Sequence, residues 1–259
     1  MSSLGALLLA LPLFLATTSS SCQTVAVTGR QQFNVFSLEQ DKQLGAQAYA
    51  EVLKTEKLAD SGANFEMVQR VVQRLSKVAD DPGFQWEAHV IDDPKTANAW
   101  CMPGGKIAVY TGILPLTKDE TGLAVVLGHE IAHAIARHGT ERMSTQQGVD
   151  VLLGVASTQW KEAAQYQELI GTAVNVFAFL PWGRDHELEA DRIGLLYMAR
   201  AGYDPRKAIE FWQRMSQNSA GKAPPEFLST HPSDEHRIAQ LQGLMPEAVA
   251  AFEASQKSP

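Results

Sequence analysis

Met67, Val68, Val71, Val72, Leu75 and Val78 recur at three- and four-residue spacing, the stripe of an amphipathic helix over 65–79. Another helix is expected over 38–57, and Asp80-Asp81-Pro82-Gly83 supplies turn chemistry behind the stripe. Polar and apolar residues then alternate over 86–91 as in a strand, and 106–110 (KIAVY) reads as a second strand after the Pro103-Gly104-Gly105 turn. A long apolar helix follows over 118–138, with Gly139 as its stop. Residues 146–180 read as helical in two apolar stretches, 149–156 and 169–180, which Pro181 ends. Helices over 184–201, 205–217 and 233–244 complete the pattern, while 22–37 lacks periodicity and reads as a tether. The expected fold class is α+β, predominantly α-helical: one domain over 38–245 with a small β-sheet, then a C-terminal tail over 246–259.

Composition narrows the function classes. The 259 residues are 45% hydrophobic, enough for a sizeable core. They carry 29 Asp and Glu against 22 Lys and Arg, a net charge of −7, with no basic cluster. A general nucleic-acid binder needs a cationic footprint, so that class is excluded. Two cysteines, Cys22 and Cys101, cannot form a disulfide scaffold.

Residues 1–21 carry no charged side chain. Their apolar run over 4–16 is too short to cross a bilayer and fits the core of a secretory signal peptide. Ser20 and Ser21 before Cys22 resemble a lipoprotein signal, although Ser19 and the missing N-terminal Lys or Arg depart from that pattern. The expectation is a signal peptide over 1–21, lipidation of Cys22, and a periplasmic protein anchored to a bacterial outer membrane. Cys101 is then a lone thiol, most simply a small buried hydrophobe. The stretches 149–156 and 169–180 are each too short to span a membrane.

The sharpest chemical signal is His129-Glu130-Ile131-Ala132-His133, an H-E-x-x-H pattern inside the apolar helix. Positions i and i+4 share a helical face about 6 Å apart along the axis, so both imidazoles can reach one metal ion. Glu130 beside them can take a proton from a water that the metal activates. A third ligand is needed for catalytic zinc. Within Arg184-Asp185-His186-Glu187-Leu188-Glu189-Ala190-Asp191, Glu187 and Asp191 again stand i, i+4. Glu187 can ligate while Asp191 orients an imidazole, and Glu189 and Arg192 read as a solvated face. A solvated charged run is the alternative for the whole segment. His138 reads as a helix C-terminal histidine favoured by the dipole, and His186 as solvent-facing or an oxyanion donor.

HEIAH followed by RDHELEAD resembles the HtpX-like and CAAX prenyl protease type of zinc metallopeptidase, a gluzincin family. Asn98-Ala99 with Pro103-Gly104-Gly105-Lys106-Ile107, Thr111-Gly112-Ile113-Leu114, and Thr230-His231-Pro232-Ser233 with Arg237-Ile238 match as well, so the resemblance spans roughly 40–245. It points to the soluble periplasmic lipoprotein branch of BepA-like and LoiP-like proteins. The resemblance implies a zincin-like domain with one Zn2+, Glu187 as third ligand and Asp191 behind it. It also implies that Gly104, Gly105, Lys106, Ile107, Ala108, Val109 and Tyr110 form a cleft-rim strand that pairs with extended substrate. His231, in the T-H-P loop, is implied as a fourth ligand that keeps the site latent. Its alternative is a loop residue ahead of a helix capped at Ser233.

The function expected is a zinc metalloendopeptidase that hydrolyses misfolded or misassembled cell-envelope proteins with Glu130 as general base. A non-proteolytic envelope chaperone with a structural four-ligand zinc site is the rival reading. Its weakness is Glu130, since a purely structural site has no use for a buried base.

Overall fold

The computed structural model describes residues 22–152, 163–179, 183–219, 225–231 and 235–257. The leader expected over 1–21, the Ser233 cap and part of the 149–156 stretch lie outside the described residues, as does the side chain of Cys22.

Where the sequence suggested a tether, the chain forms an antiparallel hairpin of β1 (Cys22–Thr24) and β2 (Gln31–Phe33). Three-residue strands are too short to show a period. The hairpin is held largely by polar contacts. Asn34 is buried and its Nδ2 donates to Thr140 Oγ1 at 2.8 Å, while Arg137 donates to Gln23. Helix α1 (Leu38–Leu53) starts in a capping box, in which Ser37 accepts from the Gln40 amide and the Gln40 side chain accepts from the Ser37 amide. Helix α2 (Gly62–Ser76) turns its Val68, Val71, Val72 and Leu75 stripe into the core, as the spacing predicts.

Three strands make the main sheet: β3 (Glu87–Ile91), β4 (Ala99–Met102) and β5 (Lys106–Tyr110), in the order β3-β5-β4. β5 runs parallel to β3 and antiparallel to β4. Alternation along β5 sorts Ile107 and Val109 into one hydrophobic cluster, Ala108 and Tyr110 into another. The first cluster packs against α2 and α4, the second against α1.

The central position of β5 corrects the expectation of a substrate-pairing rim at 104–110. Both edges of Lys106, Ile107, Ala108 and Val109 are already in ladders, and Tyr110 pairs with β3 on one side and donates its amide to Asn98 on the other. The carbonyls of Gly104 and Gly105 accept from Gln85 and Glu87, so the turn is committed as well. The two glycines sit at φ +85° and +79°, where a side chain would be strained. Within this sheet the outer edge on that side belongs to β4.

A 3₁₀ turn (Thr111–Ile113) and the short α3 (Leu114–Thr117) lead to α4 (Glu120–Ile135), capped by Asp119 accepting from the Gly122 amide at 2.8 Å. Every residue of α4 from Gly122 to Ile135 is buried, so this is the central helix. It ends earlier than Gly139: Arg137 takes φ +59°, and α5 (His138–Leu152) begins at the next residue. Helix α6 (Ala163–Val174) and a π-turn (Asn175–Phe179) precede α7 (Arg184–Arg200). Then come α8 (Arg206–Ser219), α9 (Glu226–Thr230) and α10 (Glu235–Ser255). Helix α10 runs straight through the expected tail, with Ala248 fully buried. Among the described residues no helix is long and apolar enough to cross a membrane.

α4 and α7 cross with their backbones in contact. A Cβ on Gly194 would lie 2.7 Å from Gly128 C and from His129 N, closer than real Cβ contacts allow. This glycine pair brings the two motif-bearing helices together.

Candidate metal centre

Four buried side chains converge, three from two helices and one from the residue that follows a third. His129 and His133 stand one turn apart on α4, Glu187 lies in the first turn of α7, and His231 follows α9. One donor atom from each lies within 4.8 Å of all the others. His129 Nε2 is 3.1 Å from His133 Nε2 and 3.1 Å from His231 Nδ1, while Glu187 Oε1 is 2.9 Å from His231 Nδ1 and 3.2 Å from His133 Nε2. Ligands held about 2.0–2.1 Å from a tetrahedral zinc stand about 3.4 Å apart, so the spacing and the N/O donor set fit zinc. Converging lone pairs in a dry interior favour a cation.

The far sides of the ligands are also held. Asp191 Oδ1 sits 2.9 Å from His129 Nδ1, which leaves Nε2 to face the cluster. Arg237 on α10 donates from Nη1 to Glu187 Oε2 at 2.9 Å and from Nη2 to Asp191 Oδ1 at 2.6 Å. Its guanidinium is buried and lies 3.4 Å above the Trp212 ring. One oxygen of Glu187 is thereby occupied by a cation and the other remains for the cluster. Burial alone would raise the Glu187 pKa, but His231, His129 and Arg237 hold it well below the usual carboxylate range.

Glu130 is buried beside the cluster, its Oε1 3.2 Å from His231 Nε2 but without hydrogen-bond geometry. Burial pushes its pKa up, with His231 and His129 opposing. A carboxylate poised this way suits proton transfer. For His129, burial lowers the pKa, but the Glu187 charge and Asp191 together carry it to about 9; for His133, burial dominates and holds it well below its ordinary value.

Several sequence expectations are corrected around this centre. His138 is not at a helix C-terminus: it opens α5, is fully buried, and its Nδ1 lies 2.9 Å from His133 Nδ1. Burial lowers its pKa to about 4, so it is neutral at pH 7. Glu189 is not on a solvated face: it is buried and receives His138, Arg30 and Thr28. His186 is taken up by Glu141 at 3.1 Å and stacks on His138, which argues against an oxyanion role. Arg237, quoted in the sequence only as part of a match, emerges as a bridge between Glu187 and Asp191. No local spacing announces it, because Arg237 stands 50 and 46 residues beyond the two carboxylates that it joins.

Glu141 gives a pH prediction. Burial raises its pKa, but His186 and Arg30 outweigh that and bring it to about 2. A carboxylate with a folded pKa below its unfolded value near 4.3 stabilises the fold above that pH, and the contribution fades as pH falls towards the folded pKa. Glu141→Gln is therefore expected to have a lower urea midpoint than wild type at pH 7. The gap should narrow from about pH 4.5 downwards. A gap that does not change with pH would contradict this role.

Comparison with known proteins follows the same residues. Positions 62–245 match the sequence profile of Peptidase family M48. The fission-yeast mitochondrial metalloendopeptidase OMA1 (Schizosaccharomyces pombe) is 38% identical over 236 residues, which cover 89% of this chain and 68% of that protein. Human mitochondrial metalloendopeptidase OMA1 is 33% identical over 254 residues, 92% of this chain and 48% of the relative. The Beta-barrel assembly-enhancing protease of Escherichia coli is 27% identical over 235 residues, 86% of this chain and 47% of the relative. The chain thus spans about half the length of the last two.

Proposed function

This chain belongs to Peptidase family M48 and is a zinc metalloprotease, and from that premise we propose that it is an endopeptidase of unfolded or misassembled cell-envelope proteins. The observation that carries the proposal is the buried four-donor cluster with Glu130 beside it. His129, His133 and Glu187 would hold the metal, and Asp191 and Arg237 would hold the ligands. Bound zinc supplies a Lewis acid that polarises the scissile carbonyl and acidifies water. Glu130 accepts the proton of the attacking water and returns it to the departing amine. The apolar, uncharged run ahead of Cys22 supports an envelope location with a lipid anchor at that cysteine.

Substrate binding moves from β5 to β4. An extended peptide can add to an open sheet edge by main-chain hydrogen bonds, with little regard to side chains. In the order β3-β5-β4, β4, like β3, has one side without a strand partner among the described residues, and α4 packs against β4. Ala97, two residues ahead of β4, offers its carbonyl to the Phe227 amide at 2.9 Å. The short helix α9 bonded there ends in His231, inside the donor cluster.

His231 supports a latent state, because a fourth imidazole occupies the position that water needs. His231→Ala is expected to raise cleavage of an unstructured substrate such as casein several-fold with zinc retained. Unchanged or lower activity at full zinc content would contradict the latch. Complete inactivity of both wild type and His231→Ala, each with one zinc, would favour the structural-site reading instead.

A further inference from the structure

His133 turns its second nitrogen away from the donor cluster, onto a chain of polar groups that leaves α4. Nδ1 of His133 lies 2.9 Å from Nδ1 of His138. His138 Nε2 lies 3.0 Å from Glu189 Oε2. The Glu189 carboxylate then accepts from Arg30 Nε at 2.6 Å and from the Thr28 hydroxyl. The two terminal nitrogens of Arg30 fork onto Glu141, each at 2.7 Å. Thr28 and Arg30 belong to the turn between β1 and β2, so the chain of contacts runs from the N-terminal hairpin to the back of a metal ligand.

Proton placement follows from the roles at its two ends. A histidine that offers Nε2 to a cation carries its proton on Nδ1. His133 Nδ1–H therefore donates to His138 Nδ1. That leaves the His138 proton on Nε2, where it donates to Glu189. A carboxylate accepts only, and Arg30 and Thr28 both donate to it, so each link has one donor and one acceptor. Reversing any link would put the His133 proton on the nitrogen that faces the cluster.

We propose that His138, Glu189 and Arg30 form a positioning chain through which the N-terminal hairpin sets the tautomer and orientation of His133, and with them the zinc affinity of the centre. This rests on the metal-centre reading above. The chain makes no contact with substrate; it acts through His133. Groups that orient a metal-bound imidazole are worth about 10–100-fold in metal affinity.

The test uses the full chain and measures the zinc dissociation constant by competition with a chromophoric chelator. Glu189→Gln keeps shape but loses charge, and His138→Phe keeps a flat ring but loses both nitrogens. Each is expected to bind zinc about 10–100-fold more weakly than wild type. The double variant should bind no more weakly than His138→Phe alone, since groups acting in series are not additive. Arg30→Met, at a half-buried hairpin position, should weaken zinc less, and Arg30→Lys should recover part of the loss. The zinc-induced rise in Tm should shrink more than the Tm of the chelator-stripped proteins falls.

Zinc affinities within twofold of wild type in Glu189→Gln, His138→Phe and Arg30→Met alike would overturn the proposal. So would equal losses of Tm in stripped and loaded proteins, which mark a cross-link of purely structural value. His133→Ala is the control for the centre itself. If it retains wild-type zinc affinity, or if wild type takes up no zinc, the metal-centre reading fails and the positioning chain fails with it.

Discussion

Glu130→Gln is expected to lower peptide-bond hydrolysis by about 10²–10⁴-fold, the usual value of a positioned general base, while zinc content stays at one per chain. The substitution keeps the size of a side chain that is buried and shares its surroundings with His231 and the donor cluster. Its amide cannot take a proton from water. Glu130 is separate from the four convergent donors, so metal retention and turnover should come apart in this variant. Zinc analysis and casein cleavage on the same preparation check both halves. Substantial turnover in Glu130→Gln would remove Glu130 from the mechanism, and loss of zinc would make it a ligand rather than a base.

Gly194→Ala is expected to destabilise the fold by about 1–3 kcal/mol, the cost of forcing a methyl into a packed interior. It should also weaken zinc binding, although Gly194 touches no ligand atom. The new Cβ would meet Gly128 C and His129 N at 2.7 Å and Gly128 O at 2.8 Å, all backbone that cannot rotate away. The helices must separate, and that displaces Glu187 and Asp191 relative to His129. For a chain of this size the stability loss corresponds to a Tm lower by about 2–4 °C per kcal/mol. Gly243→Ala on α10 is the matched control, since nothing lies within 4 Å of its Cβ. There the helix should be unchanged or slightly more stable. Equal behaviour of the two variants in thermal unfolding and zinc titration would show that the Gly128–Gly194 contact does not tune the site.

What was legible in the chain follows from how local each signal is. The strand at 106–110, the buried α4 and the charged start of α7 all carry their period or motif within a few residues, and all three appear where expected. β4 escaped because its four residues are all buried and show no alternation. The break between α4 and α5 escaped because Arg137 takes a left-handed conformation that usually signals glycine, which made Gly139 look like the stop and His138 like a helix end. The ligand helices could be paired from motif spacing, but what holds the ligands could not. Arg237, Glu189 and Arg30 reach the centre across 46–159 residues of sequence, through contacts that only the packed structure creates.

The claim on which the rest depends is that one zinc, held by His129, His133 and Glu187, makes this chain a peptidase. Its most direct test is cleavage of casein by protein stripped with a chelator and titrated with zinc. Activity should be absent in the stripped protein, rise with added zinc and level off at one equivalent per chain. Cleavage that persists without zinc, or none at one bound equivalent in a His231→Ala background, would contradict it.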